Sequence, residues 1–139
     1  MADAKGRKTR VLAVDDDASI RDFYEEALAT LGFEVACAPS AKDAKEVLKR
    51  QRPDVILMDI MMEGQDGISF TKEIRSDPAT SDIPVVVVSG LADAGTLNDA
   101  ILFGAVDYLV KPIDLNALKF KIERALQSAE RRKKGPQGS

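Results

Sequence analysis

Residues 55–62 read Val-Ile-Leu-Met-Asp-Ile-Met-Met: four apolar residues with no polar interruption, then a carboxylate. A strand with one wet face alternates apolar and polar residues. An unbroken apolar run of this length instead fits a strand buried on both faces, as in a parallel sheet covered by helices. Val85-Val-Val-Val88 repeats the pattern. Further out, Val11-Leu-Ala-Val14, Glu34-Val-Ala-Cys-Ala38 and Tyr108-Leu-Val110 supply three more strands, and the mixed character of the second predicts a sheet edge.

Helical periodicities fill the gaps. Ile20, Phe23, Tyr24, Ala27, Leu28 and Leu31 form one continuous face of a helix that Gly32 ends. Ser40, with Asp43 three residues on, predicts the cap of a second helix with Ala44, Val47 and Leu48 inward, closed by Arg52-Pro53. A third helix starts near Gly67 and carries Phe70 and Ile74, and a fourth uses Leu97 and Ile101 before Gly104. The fifth is capped by Asp114 and faces inward with Leu115, Leu118, Ile122, Ala125, Leu126 and Ala129. Five βα units predict an open, doubly wound α/β fold, a five-stranded parallel sheet with helices on both faces.

The 139 residues suit one compact domain, and 45% hydrophobic with 31% charged residues excludes disorder for the bulk of the chain. No apolar run approaches the roughly 18–20 residues of a membrane span, and the N-terminal Met-Ala-Asp-Ala-Lys-Gly-Arg-Lys-Thr-Arg lacks the apolar core of a signal peptide. A cytoplasmic location without membrane contact is expected. Cys37 is the single cysteine and histidine is absent, which excludes an internal disulfide, the usual zinc sites and histidine-based triads. Within the net charge of −3, residues 1–10 and 129–139 each carry four basic residues and one acidic, or +3, so the 118 residues between them carry −9. That acidic body argues against specific nucleic-acid binding. Residues 1–8 read as a basic extension, 9–128 as the folded domain and 129–139 as a basic flexible tail.

Asp15-Asp16-Asp17 follow the first strand, Asp59 the third, Ser89 the fourth and Lys111 the fifth. In open α/β sheets, ligands bind beyond the carboxyl ends of the strands where the strand order reverses. For the order 2-1-3-4-5 that point lies between strands one and three. It brings Asp15 and Asp16 beside Asp59. Two carboxylates ~4 Å apart repel by about 4 kcal/mol at an effective dielectric near 20, so three ionised together call for a cation. All-oxygen ligation in a small site suits Mg²⁺ shared with a phosphate. Taken alone, the Asp triplet reads first as a turn or helix cap, and Lys111 before Pro112 fits a surface turn. Their conjunction on one rim points to a charged ligand.

The stretches VLAVDDDASIR, DVILMDIMMEGQDG, VVVVSG and GAVDYLVKP, in this order and spacing, resemble the CheY-like receiver domain of two-component response regulators, with its flavodoxin-like (βα)5 fold. The resemblance implies that Asp59 accepts a phosphoryl group from a phosphohistidine on a sensor histidine kinase or histidine phosphotransfer protein, and that the chain catalyses only its own modification. It implies Mg²⁺ held by Asp15, Asp16, Asp59 and the backbone carbonyl of Met61, and phosphoryl oxygens met by Ser89 and Lys111. Ser89 and Tyr108 are the implied switch, biasing a face of helix four, strand five and helix five toward a downstream protein. Family members often carry Pro, Thr and Ala where this chain has Glu63, Ser89 and Gly90. Met61 and Leu91 stand where the family tunes hydrolysis of the phosphoryl group.

Asp15 and Asp17 flanking one residue, with Ser19, also resemble the first motif of haloacid-dehalogenase-like phosphatases. That reading leaves Asp59 idle and lacks a later acidic pair at a strand end. A flavin module would need a Ser-, Thr- and Gly-rich loop where the three aspartates stand. The receiver resemblance carries no output domain with it, so the chain either acts through partners or belongs to a larger regulator.

Overall fold

The computed structural model describes residues 7–90 and 94–134. Five strands alternate with five helices: β1 (Arg10–Val14), α1 (Ala18–Thr30), β2 (Glu34–Ala38), α2 (Ala41–Arg50), β3 (Val55–Asp59), α3 (Gly67–Ser76), β4 (Val85–Ser89), α4 (Ala94–Leu102), β5 (Asp107–Val110) and α5 (Leu115–Lys134). The sheet is parallel throughout, in the order β2-β1-β3-β4-β5, with β2 at an edge as its composition predicts. Every residue of β3 and β4 is buried, which is what their unbroken apolar runs require.

Alternation along the strands sorts the interior into two layers. Leu12, Val14, Ile56, Met58, Val85 and Val87 pack with α2, α3 and α4 through Ala44, Phe70, Ile74 and Ala100. Val11, Ala13, Val55, Leu57, Val86 and Val88 pack with α1 and α5 through Tyr24, Leu28, Leu118 and Ile122. The caps follow the sequence. The Ser40 hydroxyl accepts from the Asp43 N–H at 3.1 Å, Asp114 accepts from the Ala117 N–H at 2.9 Å, and Gly32 closes α1 at φ +90°.

Three expectations need correction. Ile101 is 43% exposed and Ala100 faces the sheet instead, because α4 approaches closely through a small side chain one residue earlier in the helical turn. Leu115 is also exposed, since the first turn of α5 sits at the rim beyond the end of β5, where no strand covers it. The tail expected from residue 129 is helical through Lys134: Ala, Glu, Arg and Lys are good helix formers, and no breaker intervenes before Gly135.

Candidate functional site

Strand register assembles the site. Val14 pairs with Met58, so Asp15, one step on, comes alongside Asp59. Asp59 pairs with Val88, which puts Ser89 one step beyond it, and Ser89 pairs with Val110 just before Lys111. The Lys111 N–H donates to the Ser89 carbonyl at 2.8 Å, extending the β4–β5 ladder into the site. The Lys111–Pro112 peptide bond is cis.

Asp15 is fully buried and Asp59 is 4% exposed. One carboxylate oxygen from each of Asp15, Asp16 and Asp59 falls in a group whose members lie within 4.8 Å of one another. The Lys111 ammonium is 3.0 Å from Asp15 Oδ2 and 3.5 Å from Asp59 Oδ1. Asp15 Oδ2 is buried and meets the Lys111 ammonium. Oδ1 of the same carboxylate accepts from the Asp17 N–H at 2.9 Å. One ammonium thus serves two carboxylates. Burial, and then the charge of Asp15, push the Asp59 carboxyl up to about 6 despite Lys111. Burial disfavours the Lys111 ammonium, but contact with Asp15 and Asp59 more than reverses this and its pKa is raised.

Three carboxylates, two of them buried, that share one ammonium in an all-oxygen group fit a small hard cation such as Mg²⁺. Asp17 stands apart from this group. Its Oδ1 accepts from the Ser19 N–H at 2.9 Å and from the Ser19 hydroxyl at 2.7 Å, capping α1. These bonds hold its carboxyl below the usual range. Ser89 is fully buried at the end of β4, and Gly90 borders open space, where an added Cβ would meet nothing within 4 Å. Met61 presents a 62% exposed side chain beside the site, and its backbone amide counters part of the rise in the Asp59 carboxyl. Tyr108 is half-exposed under the Lys121 ammonium, 5.1 Å from the ring centroid. Leu91 lies outside the described residues.

A model of the response regulator receiver domain matches residues 11–123. The chain belongs to that family. AtoC of Escherichia coli is 40% identical over 118 residues, 85% of this chain and 25% of AtoC. The chemotaxis protein CheY4 of Vibrio cholerae superposes with a TM-score of 0.81 at 29% identity, covering 86% of this chain and 99% of CheY4. NtrX of Brucella abortus does so at 0.82 and 31%, covering 88% of this chain and 28% of NtrX. The chain spans about a quarter to a half of the curated relatives it matches. This receiver domain is a signalling module of two-component systems. No helix among its described residues is long and apolar enough to cross a membrane. Neither the family match nor the capping role of Asp17 supports the phosphatase alternative.

Two residues of the site were not assigned to it on the sequence. The Arg21 guanidinium donates to the Asp15 carbonyl at 2.9 Å and steadies the turn after β1. Gly67, read only as the start of a helix, lies against the Asp59 backbone. The visible signal was a glycine at the first position of a helix, where it is a poor helix former.

Proposed function

We propose that Asp59 accepts a phosphoryl group from a phosphohistidine of a sensor histidine kinase or histidine phosphotransfer protein, in a Mg²⁺-dependent reaction, and that the modification controls partner binding in the cytoplasm. The observation that carries this reading is the Lys111 ammonium, 3.0 Å from Asp15 and 3.5 Å from Asp59 beside an Asp15–Asp16–Asp59 cluster at the switch point of the sheet. Phosphoryl transfer asks a protein mainly for positioning and for neutralising charge on the equatorial oxygens. An Asp59 oxygen bonds to phosphorus as the donor's phosphorus–nitrogen bond breaks, and the electron pair leaves with the imidazole nitrogen. Lys111 turns from its carboxylate contacts to a phosphoryl oxygen, and the Ser89 hydroxyl donates to another. Asp15, Asp16, Asp59 and the Met61 carbonyl would hold Mg²⁺, which supplies neutralising charge to carboxylates and phosphoryl oxygens alike.

The switch in this reading couples Ser89 to Tyr108. Tyr108 faces outward under Lys121, which also pairs with Asp107 at 2.7 Å, and this supports a resting state that an inward turn of the ring would change. Leu102, Tyr108, Val110 and Phe120 leave apolar surface exposed on α4, β5 and α5, suited to a downstream protein. In this reading the chain binds no specific nucleic acid, and the receiver unit is taken as residues 9–128. Acetyl phosphate with Mg²⁺ should label Asp59, located by borohydride trapping and mass spectrometry, and Asp59→Asn should abolish the label. A label on Asp15 or Asp17 would overturn the proposal.

A further inference from the structure

Gly67 has no need of left-handed backbone: positive φ among the described glycines is confined to Gly32, Gly64 and Gly104. What it needs is room. A Cβ at this position would overlap the Asp59 carbonyl oxygen and lie 2.8 Å from the Asp59 carbonyl carbon and 2.9 Å from Ile60 Cα. These are backbone atoms at the end of fully buried β3 and at the buried residue that follows it, and they cannot swing aside as a side chain could. One hydrogen bond crosses the contact, and a second braces the first turn of α3 from within the helix. The Gly67 N–H donates to the Ile60 carbonyl at 2.9 Å, and the fully buried Thr71 hydroxyl donates to the Gly67 carbonyl at 2.7 Å.

We propose that Gly67 is a positioning residue for the acidic site: the first turn of α3 rests on the Asp59–Ile60 backbone and fixes both the Asp59 carboxylate and the Met61 backbone beside it. The inference rests on the reading of Asp59 as metal ligand and phosphoryl acceptor. A side chain at 67 separates α3 from β3 or turns the Asp59 peptide. Either movement shifts the loop of residues 60–66, which begins directly after Asp59 and carries Met61. Supporting groups that orient ligands typically account for about 10- to 100-fold in metal affinity.

The test compares the parent chain with Gly67→Ala and Phe70→Leu, the latter loosening the same helix from its buried face without touching Asp59. A parent that neither binds Mg²⁺ nor takes the label refutes the functional reading whatever Gly67 does. With an active parent, Gly67→Ala should keep its circular dichroism, show displaced Ile60 and Met61 amide resonances before any metal is added, and bind Mg²⁺ about 10- to 100-fold more weakly. Its labelling by acetyl phosphate should stay slow at saturating Mg²⁺. Phe70→Leu should melt earlier yet bind Mg²⁺ as the parent does. Parent-like binding by Gly67→Ala, or an equal loss in Phe70→Leu, overturns the role. Should Gly67→Ala fail to fold, Asp66→Ala removes the cap of the first turn of α3 while Asp66→Asn keeps a cap without the charge: weaker Mg²⁺ binding in Asp66→Ala than in Asp66→Asn supports the role, and equal binding overturns it.

Discussion

A carboxylate exposed over only 4% of its surface, with Asp15 beside it, binds its proton more tightly than one in water, and Asp59 reaches a pKa of about 6. Unfolded, the same group titrates near 3.9. Between these values the folded metal-free protein holds more protons than the unfolded chain, so the Asp59 charge makes stability fall as pH rises from about 4 to about 6. Above that range the penalty is complete, and below it the penalty vanishes. Asp59→Asn, neutral at every pH, should therefore be more stable than the metal-free parent at pH 7 by up to about 3 kcal/mol. The advantage should shrink to nothing by pH 4, as urea titrations at several pH values would read out. An advantage independent of pH would show that packing, not charge, sets the strain. Cys37, by contrast, has its thiol pushed up to about 11 by burial, which disfavours the nucleophilic thiolate.

At the scale of the element, α4 shows how much one turn of a helix can hide. Leu97 is nearly buried and Ala100 fully so, while Ile101 and Leu102 stand in solvent. Leu97→Ala should cost about 2 kcal/mol or more, whereas Ile101→Gln should change stability by less than about 0.5 kcal/mol. Denaturant midpoints with a common slope would measure both, and a large loss in Ile101→Gln would reverse the facing described here. Hydrophobic pattern alone ranks isoleucine above alanine for burial, and this is why the phase of α4 was misread on the sequence. The strands were legible because Val55–Met58 and Val85–Val88 allow no other solution, and α2 because Ser40 and Asp43 mark its start. Of the site, Asp15, Asp16, Asp59, Ser89 and Lys111 were legible as polar residues following apolar runs. Gly67 and Arg21 were not, because their contribution is proximity to another segment's backbone, which no local pattern encodes.

For the whole molecule, the energetic question is whether one phosphoryl group can turn the domain over. Moving two states from 1:99 to 99:1 takes about 5.5 kcal/mol, while one charge-assisted hydrogen bond contributes about 1.5–3 kcal/mol. Modification alone should thus shift populations in part, and partner binding should complete the change. With Mg²⁺ and beryllofluoride, a phosphoryl mimic, amide resonances should move not only around Asp59 but also at Tyr108 and Leu118. Changes confined to the loops beside Asp59 would remove the proposed switch. The sheet that would relay this change is also a partition, one strand-layer thick, between the α1–α5 interior and the α2–α3–α4 interior. Residues on opposite sides share few neighbours, and substitutions without shared partners add independently. Core substitutions confined to the α1–α5 interior should therefore add in stability to those confined to the α2–α3–α4 interior, so long as the strand ends keep their register.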